Sequence, residues 1–177
     1  VCGYQEMAEI TKLQANVTLS ANSLPLQVKQ SVSLSKLIQS MTTGDKLVSC
    51  SSANKKIATV SNAGKVTGKK SGNVKITMNF ASGVSKIVTV KVQKSKVGTT
   101  KITNVPSSIR LKVKKSYKLS PAISPITTKN KVTYKTANKK IASVAKNGKI
   151  VAKKAGKTTI TVKAGKKVKK VKVTVIK

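Results

Sequence analysis

The sequence predicts an all-β protein made of two tandem sandwich domains of about seven strands each. Three observations predict it: an aliphatic and aromatic-poor composition, an internal duplication, and period-two alternation of apolar and polar residues. The chain has 177 residues, room for one large domain or two small ones. Hydrophobic residues make up 38% of it but aromatics only 2%, with no Trp, so any core is built from Val, Ile, Leu and Ala. Val and Ile interleaved with Lys, Thr and Ser suit half-buried strands rather than helices.

The duplication organises the rest of the chain. Residues 53–76 read ANKKIATVSNAGKVTGKKSGNVKI, and residues 137–160 read ANKKIASVAKNGKIVAKKAGKTTI, an offset of 84 with no gap. Upstream, Leu24, Leu26, Val28 and Leu34 align with Ile109, Leu111, Val113 and Leu119, and Val48 and Cys50 with Val132 and Tyr134. Downstream, Val88, Val90 and Val92 align with Val171, Val173 and Val175. The expected organisation is therefore an N-terminal segment 1–15, a first domain 16–93, a linker 94–100 (KSKVGTT) and a second domain 101–177.

In the second copy, strands are expected near 109–113, 116–120, 131–135, 141–145, 148–153, 157–163 and 168–176. The alternation is clearest at the end, where Val171, Val173 and Val175 interleave with Lys170, Lys172 and Thr174. Asn147-Gly148 signals a tight hairpin, since both residues tolerate positive φ, with Ala63-Gly64 in its place in the first copy. Gly72 and Gly156 recur before the next strand. Pro25, Pro106, Pro121 and Pro125 are expected at strand entries or in loops, where no ladder donor is lost. Seven short strands without crossover helices close most naturally as two packed sheets, with an up-and-down barrel as the weaker alternative.

The repeat carries SSANKKIATV at 51–60, GKVTG at 64–68, Gly72 and VKIT at 74–77. It carries TANKKIASV at 136–144, GKIVA at 148–152, Gly156 and TTITV at 158–162 in the second copy. With these motifs the sequence resembles the bacterial immunoglobulin-like domain, group 2, of invasin- and intimin-type adhesins and other bacterial surface proteins. The resemblance covers nearly all of residues 17–176 and implies two immunoglobulin-like sandwiches. It also implies an extracellular or cell-surface location and a role in adhesion, display or spacing. That family usually places Trp or Tyr on the third strand. Here the position holds Cys50 in the first copy and Tyr134 in the second, so the first core is expected to be less well filled.

Charge sets this chain apart. It has 37 Lys+Arg against 3 Asp+Glu and no His, a formal net charge of +34. The acids are Glu6, Glu9 and Asp45, and Arg110 is the sole arginine. Without His, general-base and Ser–His catalysis lack their usual base. Without paired carboxylates, glycosidase chemistry and calcium cages lack their ligands. The expectation is a non-enzymatic protein with no cofactor and no metal. Cys2 and Cys50 are too few for a zinc site or a disulfide framework. They leave two readings, a Cys2–Cys50 bridge or a free buried thiol at Cys50.

No segment approaches the ~20 apolar residues of a membrane span. The chain begins at Val1 without a basic n-region or apolar h-region, which fits either a removed signal peptide or a piece of a longer protein.

The second domain carries Arg110 and 22 lysines with no acid. Candidate polyanion contacts are Lys139, Lys140, Lys153, Lys154, Lys166, Lys167, Lys169 and Lys170, with the GKKVKK segment at 165–170 as the densest, expected to span the last hairpin. Three roles follow: docking on anionic polysaccharide, teichoic acid or host glycan; a spacer that the lysines merely solubilise; or a nucleic-acid binder. The last is disfavoured, because Tyr4, Phe80, Tyr117 and Tyr134 are too few for stacking platforms and lysine lacks the arginine fork.

Overall fold

The computed structural model describes residues 15–177. The first copy forms β1 (Val17–Leu19), β2 (Ser23–Gln27), β3 (Ser31–Ser33), β4 (Ile38–Met41) and β5 (Leu47–Ser52). It continues with β6 (Ala58–Val60), β7 (Lys65–Gly68), β8 (Gly72–Phe80) and β9 (Ser85–Gln93). The second copy repeats the order as β10 (Lys101–Thr103), β11 (Ser108–Lys112), β12 (Ser116–Lys118), β13 (Ala122–Ser124) and β14 (Val132–Thr136). It ends with β15 (Ala142–Val144), β16 (Lys149–Ala152), β17 (Gly156–Ala164) and β18 (Lys167–Ile176). A short 3-10 turn at Leu34–Leu37 is the one helical element among the described residues.

Each copy closes as a sandwich. In the first, a four-stranded sheet β2-β9-β8-β5 faces a three-stranded sheet β3-β7-β6; in the second, β11-β18-β17-β14 faces β12-β16-β15. The valines that alternate along β9 and β18 are buried between the sheets, as period two requires. Two short pairs, β1 with β4 and β10 with β13, add strands that the sequence signals do not reveal. Strand β13 is only three residues long and lies between Pro121 and Pro125, too short to display a period.

The recurring ANKKIA block is a hydrogen-bonded corner. In the second copy, Thr136 Oγ1 donates to the Ala142 carbonyl (2.9 Å) and the Lys140 amide donates to Asn138 Oδ1 (2.9 Å). Ser52 Oγ to the Ala58 carbonyl (2.7 Å) and the Lys56 amide to Asn54 Oδ1 (3.0 Å) rebuild it in the first. Such local side-chain bonds turn the chain from one sheet to the other without leaving buried amides unpaired.

Two expectations need correction, at Pro25 and at Val48, and the 147–148 turn takes a specific form. At 147–148 only Gly148 takes positive φ (+85°), while Asn147 does not. The Gly148 amide donates to the Ala145 carbonyl and the Ala145 amide to the Lys149 carbonyl, both at 2.9 Å, closing a three-residue loop with glycine at its left-handed position. This is why Ala63 serves as well as Asn147 in the other copy. Pro25 lies inside β2 rather than at its entry; β2 is a sheet edge, so the missing amide costs no interior ladder bond.

The alignment of Val48 with Val132 is also displaced. A bulge between Leu47 and Ser49 leaves Val48 53% exposed, and Leu47, opposite Phe80, takes the place of Val132, opposite Ala164. At the Cys50 and Tyr134 positions the two cores have different neighbours. Cys50 stands opposite Met78 with Phe80 two residues on, whereas Tyr134 stands opposite Val162 with Ala164 two residues on. The smaller Cys50 is thus accompanied by larger side chains on β8, and a pocket lined by Cys50, Ser51, Thr59 and Val60 lies beside it. Cys50 itself is buried, and Cys2 lies outside the described residues.

Candidate functional site

The structure sends the candidate lysines to opposite ends of the second domain. Ala164 pairs with Lys167, so Gly165 and Lys166 alone form the last turn, and Lys167, Lys169 and Lys170 belong to β18 rather than to a loop. All four lysines are exposed, as is Val168 between them. Lys169 opposes Val162 and shares the inward-facing parity of Val171, but it lies near the hairpin tip and stays in water. Lys170 opposes Thr161 and faces outward.

Lys139 and Lys140 lie in the turn before β15, and Lys153 and Lys154 in the turn before β17. The amides of Lys153 and Lys154 both donate to the Ile141 carbonyl (2.8 and 3.2 Å), which brings these turns together. The Lys114 amide donates to the Ala152 carbonyl and the Ala152 amide to the Lys115 carbonyl, both at 2.9 Å. The run Lys112, Lys114 and Lys115 therefore joins the same end. Strand β17 runs from this end to the hairpin, roughly 27 Å at about 3.4 Å per residue.

A third group was hidden from the sequence. Strand alternation and register place Arg110, Lys112, Lys135, Lys157, Lys163, Lys170 and Lys172 on the outer face of the β11-β18-β17-β14 sheet, all exposed. Spacing within one strand can put Lys170 with Lys172, Arg110 with Lys112, and Lys157 with Lys163 on a common face. These pairs and Lys135 come from four strands far apart in sequence, and their juxtaposition needs the register. A shallow depression on this face is lined by Ser108, Lys157, Thr159, Lys172 and Thr174.

The described residues offer little reactive chemistry. Burial pushes the Cys50 thiol up, away from the reactive thiolate. No three of His, Cys, Asp and Glu lie together among the described residues. Asp45, the one acid among them, is held by the first domain's own loops: Ser82 Oγ donates to it at 2.6 Å, and the Ser82 and Lys46 amides at 3.0 and 2.9 Å. These bonds, the Ser82 hydroxyl first, lower its pKa. No helix of the described residues is long and apolar enough to cross a membrane.

Two sandwiches of identical strand order, joined head to tail, agree with a family-model comparison. The bacterial Ig-like domain (group 2) model matches residues 14–94 and again residues 98–175. The chain belongs to this family. Comparison of the two group 2 domains with solved structures gives matches of low identity. Domains 4 and 5 of the S-layer protein SbsC match at 18% identity, covering 92% of this chain and 98% of that one, with a TM-score of 0.48. The longer rSbsC(31-844) matches at 21% identity over 78% of this chain, with a TM-score of 0.44. This chain spans only 22% of its length. Human protocadherin-24 EC1-2 matches at 13% identity, covering 92% of this chain and 97% of that one, with a TM-score of 0.37. No curated protein matches the chain.

Proposed function

We propose that the chain is a non-catalytic module of a bacterial cell-surface or secreted protein, used for adhesion, display or spacing, and that its second domain docks on polyanions. Membership of the group 2 family supports the surface role. The docking role rests on one observation: between two copies of one fold, the second holds 22 lysines and Arg110 with no acid, and the first holds 11 lysines and Asp45. A core or a turn does not need that difference. Solubility does not need it either, since far less charge suffices.

The mechanism is counterion release, in which the logarithm of affinity falls linearly with the logarithm of salt. Titration of the chain with teichoic acid, heparin and duplex DNA at about 0.15 M salt tests it, since scattered surface charge is largely screened there. Saturable binding with a negative salt slope is expected, weakened when Lys166, Lys167, Lys169 and Lys170 are changed to Gln. Absence of saturable binding to all three polymers overturns docking and leaves a spacer.

A further inference from the structure

We infer that the outer face of the β11-β18-β17-β14 sheet is the contact surface, and that its occupant is a base-free, phosphodiester-linked sugar or polyol polymer lying along the strands. The inference rests on the docking role proposed above and names the site and the ligand class.

The face is a lattice of cations and hydroxyls. Lys172 stands between Thr159 on one neighbouring strand and Ser108 on the other. Thr174 stands between Lys157 and Arg110, and Thr161 between Lys170 and Lys135. No cation on this face has another cation directly opposite. Like charges in that position destabilise a sheet, so the alternation is what allows so many lysines on one face. Except for Lys112, which stands opposite Ile176, each cation is thereby set beside a hydroxyl that can donate to a phosphate oxygen or exchange hydrogen bonds with a sugar. The depression between Lys157 and Lys172 is one such unit, with the hydroxyls of Ser108, Thr159 and Thr174 around it.

The first domain has the same sheet and lacks the lattice. Asn73, Asn79, Ile87 and Thr89 occupy the sites of Lys157, Lys163, Lys170 and Lys172, and the face keeps only Lys75 and Lys91. The change is thus concentrated on a surface where the fold imposes no charge.

The chemistry selects among polyanions. Single-strand stacking or base-specific readout would want aromatic platforms or arginine forks, and this face has no aromatic residue and one guanidinium. The lysines meet phosphate as point charges, without the planar fork by which arginine grips carboxylate and phosphate alike. The outward apolar residues, Val168 and Ile176, lie at opposite ends of β18, so the face offers no apolar patch for a lipid surface.

The test sets two four-charge variants of the full chain against each other. The face variant carries Lys135→Gln, Lys157→Gln, Lys163→Gln and Lys172→Gln; the end variant carries Lys139→Gln, Lys140→Gln, Lys153→Gln and Lys154→Gln. Purified teichoic acid, heparin and duplex DNA are the probes, and far-UV circular dichroism reports folding. The expected result is a loss of at least about tenfold in teichoic acid affinity for the face variant, with a flatter salt slope, against less than about threefold for the end variant. Should the quadruple variant fold poorly, the pair Lys157→Gln and Lys172→Gln is expected to show the same ordering. Thr159→Val, which alters no charge, should weaken teichoic acid binding a few-fold. Equal losses in the two variants overturn the face as the site while leaving polyanion docking intact. Binding of DNA or heparin as tight as teichoic acid overturns the phosphate-polymer assignment. No binding by the unmodified chain overturns the docking role itself.

Discussion

Thr127 of the second domain donates its hydroxyl hydrogen bond to the carbonyl of Pro25 in the first, and Thr127 is only 2% exposed. Beside it, Gln30 Nε2 donates to the Thr127 carbonyl at 2.9 Å. The connecting segment packs as well, with Val97 buried and its carbonyl accepting the Lys129 amide (2.9 Å). The junction is thus hydrogen-bonded from both domains. Each such bond contributes about 0.5–1.5 kcal/mol net, so two of them can bias orientation without being needed for either fold. The double variant Thr127→Val, Gln30→Ala should leave both domains folded but tumbling separately by 15N relaxation, where the native chain tumbles as one body. Residues 101–177 expressed alone should still melt cooperatively as a β-rich domain. A helical or disordered spectrum for that fragment would contradict the two-domain reading.

Gly148 is constrained twice. Its φ of +85° disfavours any side chain, and a Cβ there would lie 2.8 Å from the Leu119 carbonyl oxygen and 2.9 Å from the Tyr134 hydroxyl. Gly148→Val should therefore destabilise by on the order of 1–3 kcal/mol or more in urea denaturation. Asn147→Ala loses one exposed bond, from the Lys149 amide at 3.0 Å, and should cost under about 1 kcal/mol. The reverse ordering would mean that the loop is of another type.

Tyr134 and Cys50 hold the same position in the two cores, opposite Val162 and Met78. Tyr134→Cys should open a void beside Val162 and destabilise the second domain by about 2–4 kcal/mol. Cys50→Tyr should overpack the first domain by about 1–3 kcal/mol against Met78. Combining Cys50→Tyr with Met78→Val should recover part of that loss, because contacting residues couple. Strict additivity in thermal melts would show that the two positions do not share the space.

Asp45 predicts a pH dependence confined to the first domain. Its folded pKa is depressed by the Ser82 and Lys46 donors, so its contribution is fully present above the unfolded value, near 3.8, and is lost as pH falls through the lower folded value. Acid melting below about pH 4 should lower the midpoint of the first domain, and Asp45→Asn should abolish that fall. The second domain carries Asn130 at the corresponding site, where it accepts the Thr99 amide at 2.8 Å, and should show no such transition. A matching acid transition in residues 101–177 would assign the effect elsewhere.

The sequence by itself determined the class, the duplication and the family. Period two along Val171, Val173 and Val175 fixes which side of β18 is buried, and the ANKKIA blocks carry a corner whose hydrogen bonds are local. Local rules have local consequences, so they can be read from one strand at a time. The bulge at Val48, the pairing of Cys50 with Met78 and the short strand β13 escaped it, because each depends on what lies across the sheet. Charge behaved in the same way. Composition revealed an acid-free second domain, and runs such as GKKVKK drew the eye to contiguous lysines. The tertiary structure separated those lysines to two ends and assembled another set from β11, β14, β17 and β18. Neighbours across a sheet are about 5 Å apart yet tens of residues apart in the chain, so only the register decides which cation meets which hydroxyl.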